Sequence, residues 1–242
     1  MSAFPDKNPE ILRTLRTKLQ KISSPQHASR SVECRVLNRL FPQGIPCGGI
    51  VEWLGDSGSG PTTLSFWMAQ QLCQNEGVML IVDRRQQIYP PALTALGVDL
   101  RRTFWLHPDS RQDEIWALVQ CLRCPSVAVV WGCLEQLTAR EYRCLQLAAE
   151  SSGVVGIFSR PTRLQGQPTW ASIQLSVTPR LSGNLQRYVI KTNHCCQGQH
   201  SNAVTIERDA LTGKLRECHE TFPVRLATRL ASSPVSRRAA RA

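Results

Sequence analysis

The residues with the clearest chemical potential are Gly55-Asp56-Ser57-Gly58-Ser59-Gly60-Pro61-Thr62. Gly55, Gly60 and Thr62 meet every fixed point of a nucleotide phosphate loop except the lysine before the hydroxyl residue, and Gly58 adds a further glycine to the turn. In such a loop, backbone N–H groups cradle phosphate while the lysine ammonium reaches the terminal phosphates. Pro61 brings neither a charge nor an N–H. Asp56 places a negative charge where phosphate would sit, and Thr62 keeps the hydroxyl that meets magnesium. Gly55, Gly58, Gly60 and Thr62 thus define a degenerate nucleotide loop, its turn kept and its chemistry removed.

Other constellations say less. His194-Cys195-Cys196 with His200 offers zinc-ligand atoms, but adjacent cysteines chelate awkwardly and the spacing fits no familiar zinc pattern. Cys121 and Cys124 lie on a helical stretch and read as core rather than as a redox pair. There is no Ser/His/Asp arrangement with positional support. No metal and no cofactor are expected.

The glycine turn needs a strand before it and a helix after it. GGIVEWLG (48–55) reads as the buried strand, and PTTLSFWMAQQLCQ (61–74) as the helix, with proline at its start. Further apolar, β-branched runs follow at 78–83, 103–107, 127–131 and 154–158. Helical patterns at 113–124 and 139–150 separate most of them. Strands alternating with helices imply right-handed crossovers and a mostly parallel sheet. The segments 171–177, 184–193 and 203–209 look like strands joined by turns, hence an antiparallel edge toward the C-terminus. Ahead of this body, NPEILRTLRTKLQKI (8–22) has an Asn8 cap, Pro9 in the first turn and apolar residues at helical spacing.

The 242 residues carry 29 Lys+Arg against 18 Asp+Glu, a formal charge of +11. At 42% apolar and 19% charged residues, the chain is not of the disordered class. The basic excess points to nucleic acid or acidic partners. MSAFPDKNPE has no secretory pattern, and no apolar run approaches the roughly 18–20 residues of a membrane span. Ten cysteines are scattered, several inside apolar segments, so a reduced, cytoplasmic protein with no membrane contact is expected.

Residues 48–55 followed by the glycine turn resemble the entry to the phosphate loop of the RecA recombinase family. Ile81-Val82-Asp83-Arg84-Arg85 through Leu96-Gly97-Val98-Asp99 matches that family's next strand and helix without a gap. In that register the water-activating glutamate falls on Arg85. The magnesium aspartate falls on Trp131, at the expected end of the 127–131 strand. An arginine cannot act as base at neutral pH and an indole cannot hold a metal. The resemblance therefore implies a RecA-like core without ATPase activity. Within that group the chain is most similar to the ImuA family, associated with translesion synthesis. The likeness is carried by Pro90-Pro91-Ala92-Leu93, by Ile115 to Arg123, by Val129-Val130-Trp131, by Arg143 to Glu150 and by Phe158-Ser159-Arg160-Pro161. It spans about residues 35–195. It implies a noncatalytic adaptor in damage-induced, error-prone DNA synthesis. Its implied partners are an ImuB-like Y-family polymerase homologue, an error-prone replicative-type polymerase and RecA. Two alternatives are a SulA-like cell-division inhibitor, also RecA-related and lacking the lysine, and a weak ATPase using Thr62.

Recombinases contact DNA through loops after the strands that match 127–131 and 154–158. The first is nearly absent here, because Leu134 to Leu137 passes almost directly into a helix. The second is RPTRLQGQPTW (160–170), with Arg160 and Arg163 for phosphate and Trp170 for stacking, or else an ordinary solvated loop. Ile11, Leu15, Leu19 and Ile22 form an apolar stripe that binds RecA or another copy, or packs on its own core. Arg237, Arg238 and Arg241 belong to an acid-free tail that orders on an acidic partner or DNA, or only solubilises the chain. The expected organisation is an N-terminal helix and linker (1–31), a RecA-like α/β domain (32–222) and a basic tail (223–242).

Overall fold

The computed structural model describes residues 29–32, 35–73, 77–182, 185–196, 203–209 and 215–218. The helix expected over 8–22, with Ile11, Leu15, Leu19 and Ile22, and the tail with Arg237, Arg238 and Arg241 lie outside the described residues, as does His200.

In chain order the elements begin with β1 (Ser29–Arg30), α1 (Arg35–Asn38), β2 (Ile45–Pro46), β3 (Ile50–Leu54), α2 (Pro61–Leu72) and β4 (Val78–Val82). They continue with α3 (Pro90–Ala95), β5 (Thr103–Leu106), α4 (Arg111–Leu122), β6 (Val127–Cys133), α5 (Ala139–Ser152) and β7 (Val155–Arg160). Four strands close the series: β8 (Ile173–Ser182), β9 (Leu185–Cys195), β10 (Ala203–Arg208) and β11 (Leu215–Glu217). Nine strands form one sheet in the order β11-β10-β9-β8-β3-β7-β6-β4-β5. From β5 to β8 every neighbouring pair is parallel, and β8, β9, β10 and β11 pair antiparallel. This is the expected α/β class, with a mostly parallel centre and antiparallel strands toward the C-terminus.

Strands covered on both faces read as near-continuous apolar runs, and β3 follows that rule with Glu52 as its one charged residue: all five of its residues are buried. Two packed layers flank the sheet. Trp53, Leu64, Phe66, Met68, Ile81 and Trp131 pack on the α2 side, and Val82, Leu118, Val130, Leu145 and Phe158 on the α4 and α5 side. The helix ends carry their own signals. Thr138 and Glu141 form a reciprocal capping box at the start of α5, and Gly153 closes it at φ 79°. Ser110 caps α4 by accepting from the Asp113 N–H.

The structure corrects one boundary that matters. The strand expected over 127–131 runs on to Cys133, because Gly132 and Cys133 pair with Phe158 and Ser159 of β7. Trp131 is therefore inside the strand and buried, not at its exposed end. Among the described residues, no helix is long and apolar enough to cross a membrane.

Candidate functional site

In sheets of this kind, ligands sit beyond the carboxyl ends of the strands, where the strand order switches direction. That edge is formed here by the ends of β3, β6 and β7, with the glycine turn above β3. The turn is pinned to its neighbour where the Gly55 N–H donates to the Arg160 carbonyl at 3.1 Å. Gly58 and Gly60 have φ of 79° and 99°, the left-handed region that favours glycine. At Gly60 there is a second constraint: a side chain would run into the ring of Tyr188 from β9, its Cβ 2.9 Å from Cδ1 and nearer still to Cε1. At Gly55 a Cβ would lie 2.6 Å from Ser59 Oγ and 2.9 Å from Pro61 Cγ. The turn is thus packed from within, with the proline ring against its first glycine. Ser59 directs both its N–H and its hydroxyl to the Asp56 carbonyl, at 3.0 and 2.7 Å.

The other two positions of lost chemistry are also filled. Trp131 donates its indole N–H to Ser65 Oγ at 2.9 Å and stacks on Phe66 with centroids 4.3 Å apart, so its ring plugs the space beneath α2. Ser65 in turn donates to the Thr62 carbonyl at 2.8 Å. Arg85 is exposed and pairs with Glu135 at 2.7 Å. A cleft of about 580 Å3 opens above these groups and brings together Gly55, Gly58, Gly60, Thr62, Arg85, Arg160 and Arg163.

The expected DNA loop does not hold together as one surface. Arg160 is the last residue of β7, only 8% exposed, and its guanidinium pairs with the fully buried carboxylate of Glu52 on β3. It is corrected from a phosphate contact to the anchor of a buried network, since a charge is held in a dry interior only by its counter-charge. Glu52 also accepts from Thr169 Oγ1 at 2.9 Å and Gln174 Nε2 at 2.7 Å. Tyr142 lies beside this network, and burial, with the Glu52 charge added, pushes its hydroxyl well above its ordinary value. Arg163 does face the cleft, 3.9 Å from Glu135. Trp170 is 47% exposed outside the cleft, with the Arg143 guanidinium 5.8 Å from its ring centroid.

Three residues were missed from sequence. Tyr188 and Arg208 reach the cleft from the antiparallel strands and carry no local signal. Glu52 had one: a lone carboxylate in an apolar strand must be paired. Among the described residues, no group of three or more His, Cys, Asp or Glu is placed to hold a metal. Cys195 is buried while His194 and Cys196 are exposed, so strand alternation divides these ligands between two faces.

No family model matches the chain. It is 28% identical over 168 residues to protein RecA of Rubrobacter xylanophilus, covering 69% of this chain and 44% of that protein. Over 113 residues it is 31% identical to protein RecA of Bartonella quintana, covering 47% of this chain and 30% of that one. Over 87 residues it is 32% identical to protein RecA of Crocosphaera subtropica, covering 36% and 25%. The chain spans less than half the length of these curated relatives. The relationship is RecA-like, and the fold is that of a RecA-like core.

Proposed function

We propose that the chain is a noncatalytic RecA-like adaptor of damage-induced, error-prone translesion DNA synthesis, of the ImuA type, tethering mutagenic polymerase components to RecA or to DNA. Its partners in this reading are an ImuB-like Y-family polymerase homologue, an error-prone replicative-type polymerase and RecA. One observation carries the noncatalytic part: each position that lost a catalytic group is occupied by a packed or paired replacement. Pro61 lies against Gly55, the Trp131 indole is bonded to Ser65, and Arg85 is tied to Glu135. Phosphoryl transfer rests on positioned cations around the phosphates and on a group that orients the attacking water. Pro61 and Trp131 supply neither, and Arg85 brings a charge but no group able to orient or activate water, its guanidinium being held by Glu135. The likeness to RecA proteins and the residues shared with the ImuA family support the choice of process.

Two measurements test the reading. Phosphate release from ATP with magnesium is expected at the buffer background for the wild-type protein, and also for Pro61→Lys, because one restored lysine leaves Trp131 and Arg85 in place. Turnover by the wild-type protein overturns the noncatalytic reading. Affinity purification from DNA-damaged cells is expected to recover RecA with the polymerase pair. Recovery of the division tubulin homologue in their place transfers the chain to the SulA-like alternative.

A further inference from the structure

The cleft is cationic: four arginines line it against two carboxylates. Arg85 and Arg163, which approach from different connections, share the single carboxylate of Glu135 at 2.7 and 3.9 Å. Both guanidiniums are accessible, at 43% and 59% side-chain exposure. On the opposite wall, Arg208 has a weak bond to Gln186 Oε1 at 3.4 Å, and its Nε is buried with no acceptor. Arg160 also carries a buried Nε with no acceptor. A buried donor without an acceptor is costly to the fold. The first turn of α2 opens into the same cleft with no acidic residue and no side-chain cap, adding the positive end of a helix dipole.

We infer that this cleft docks an acidic segment of a protein partner, whose carboxylates pair with Arg85, Arg163 and Arg208. The reading rests on the noncatalytic function proposed above and names the chemistry of a partner for the remodelled site.

Three features favour separate carboxylates over a nucleotide or a nucleic acid. Pro61 has no N–H, and the Ser59 N–H is already bonded to Asp56, so the cradle that wraps a polyphosphate is incomplete. The Asp56 and Glu135 carboxylates line the same cleft. Their charges oppose one concentrated polyphosphate more than single carboxylates arriving along a peptide, each of which fits one guanidinium fork. Trp170, the expected stacking residue, lies outside the cleft, and Tyr188 within it is buried against Gly60. Among the described residues, the cleft offers no aromatic platform open to a base.

The test uses the full chain and fluorescence anisotropy with a labelled hexaglutamate peptide, its hexaglutamine counterpart and a labelled oligothymidylate. The hexaglutamate peptide is expected to bind at physiological salt and the hexaglutamine peptide not to. The double variant Arg85→Gln/Arg163→Gln is expected to lose about tenfold in affinity for hexaglutamate. The equal charge loss at exposed positions away from the cleft, Arg123→Gln/Arg140→Gln, is expected to change it less than about twofold. Gly58→Asp is a second, independent probe. Its Cβ would meet nothing within 4 Å, aspartate tolerates the left-handed region, and its carboxylate enters the mouth of the cleft. It too is expected to weaken hexaglutamate. Equal binding of the two peptides, or wild-type affinity in the double variant, overturns the proposal. Loss of oligothymidylate binding alone in that variant assigns the cleft to nucleic acid and also overturns it. Because ATP turnover is scored separately, failure of the peptide to bind with turnover at background sinks this inference and leaves the noncatalytic reading standing.

Discussion

The turn after β3 and the loop after β7 leave the same edge of the sheet on neighbouring strands, yet they are fixed by opposite physics. The turn is held by contact: two left-handed glycines, a proline ring against Gly55 and the Tyr188 ring against Gly60. The loop is held by charge: one buried carboxylate, Glu52, gathers Arg160, Thr169 and Gln174 from three points along the returning chain. Contact is insensitive to salt, tolerates no added volume and gives way locally. A buried ion pair is stiff and directional, but it becomes a liability once either partner is missing.

That contrast predicts the largest effect at Glu52. Glu52→Ala leaves Arg160 charged, buried and unpaired, and is expected to cost about 3–5 kcal/mol in urea unfolding. The double change Glu52→Met/Arg160→Met removes both charges and is expected to recover most of that loss. If the double variant is as unstable as the single one, the loop is held by something other than the charge pair.

Gly60 breaks the other side of the comparison. Gly60→Ala forces a side chain into the left-handed region, about 1–2 kcal/mol, and drives Cβ into Tyr188, a further ~1–3 kcal/mol of overpacking. Adding Tyr188→Ala is expected to remove the second contribution and leave the first. Strict additivity of the two changes in a double-mutant cycle would show that the ring does not brace the turn.

A milder change probes the plug under α2. Trp131→Phe deletes the bond to Ser65 while keeping an aromatic ring against Phe66, and Ser65 keeps its own bond to Thr62. Thermal unfolding is expected to report a loss of about 1 kcal/mol from the hydrogen bond. No loss at all would make the indole mere filling.

The contact-held region was largely legible in the sequence, and the charge-held one was not. The glycine turn, its strand and its helix are consecutive residues, so spacing and apolar runs suffice to place Gly55, Gly58, Gly60 and Pro61. The central parallel strands β3, β6 and β7 were legible because burial on both faces makes them nearly continuous apolar runs. The end of β6 was not, since Gly132 and Cys133 are strand by pairing with β7 and not by propensity. Arg160 misled for a related reason. An arginine after an apolar run reads as a solvated loop residue, but its partner lies 108 residues earlier in the chain. Tyr188 and Arg208 reach the cleft only because the antiparallel strands fold back beside β3, an arrangement that no local pattern encodes.

The connection after β6 gives the smallest effect and asks whether ionic anchoring at this edge owes its strength to burial. Arg111 on α4 donates through both terminal nitrogens to Glu141 at 2.8 and 2.9 Å, and Thr138 adds its N–H at 2.7 Å. The Arg111 hydrogen bonds lead in pushing the Glu141 carboxyl down from an ordinary 4.5 to about 2. A depressed carboxyl stabilises the fold above its unfolded value, and that stabilisation drains away as pH falls from about 4.5 toward 2. The pair is open to solvent, unlike Glu52 and Arg160, so Arg111→Ala is expected to cost less than ~1 kcal/mol at pH 7. The difference between wild type and variant is expected to shrink at pH 2.5, where Glu141 takes up its proton in the variant and begins to do so in the wild type. What persists is the bond from Arg111 to the Gln136 carbonyl. A cost at pH 7 comparable to that of Glu52→Ala would remove burial as the source of the strength of the Glu52 pair. A cost that stays constant down to pH 2.5 would show that Arg111 acts through packing and the Gln136 bond rather than through charge.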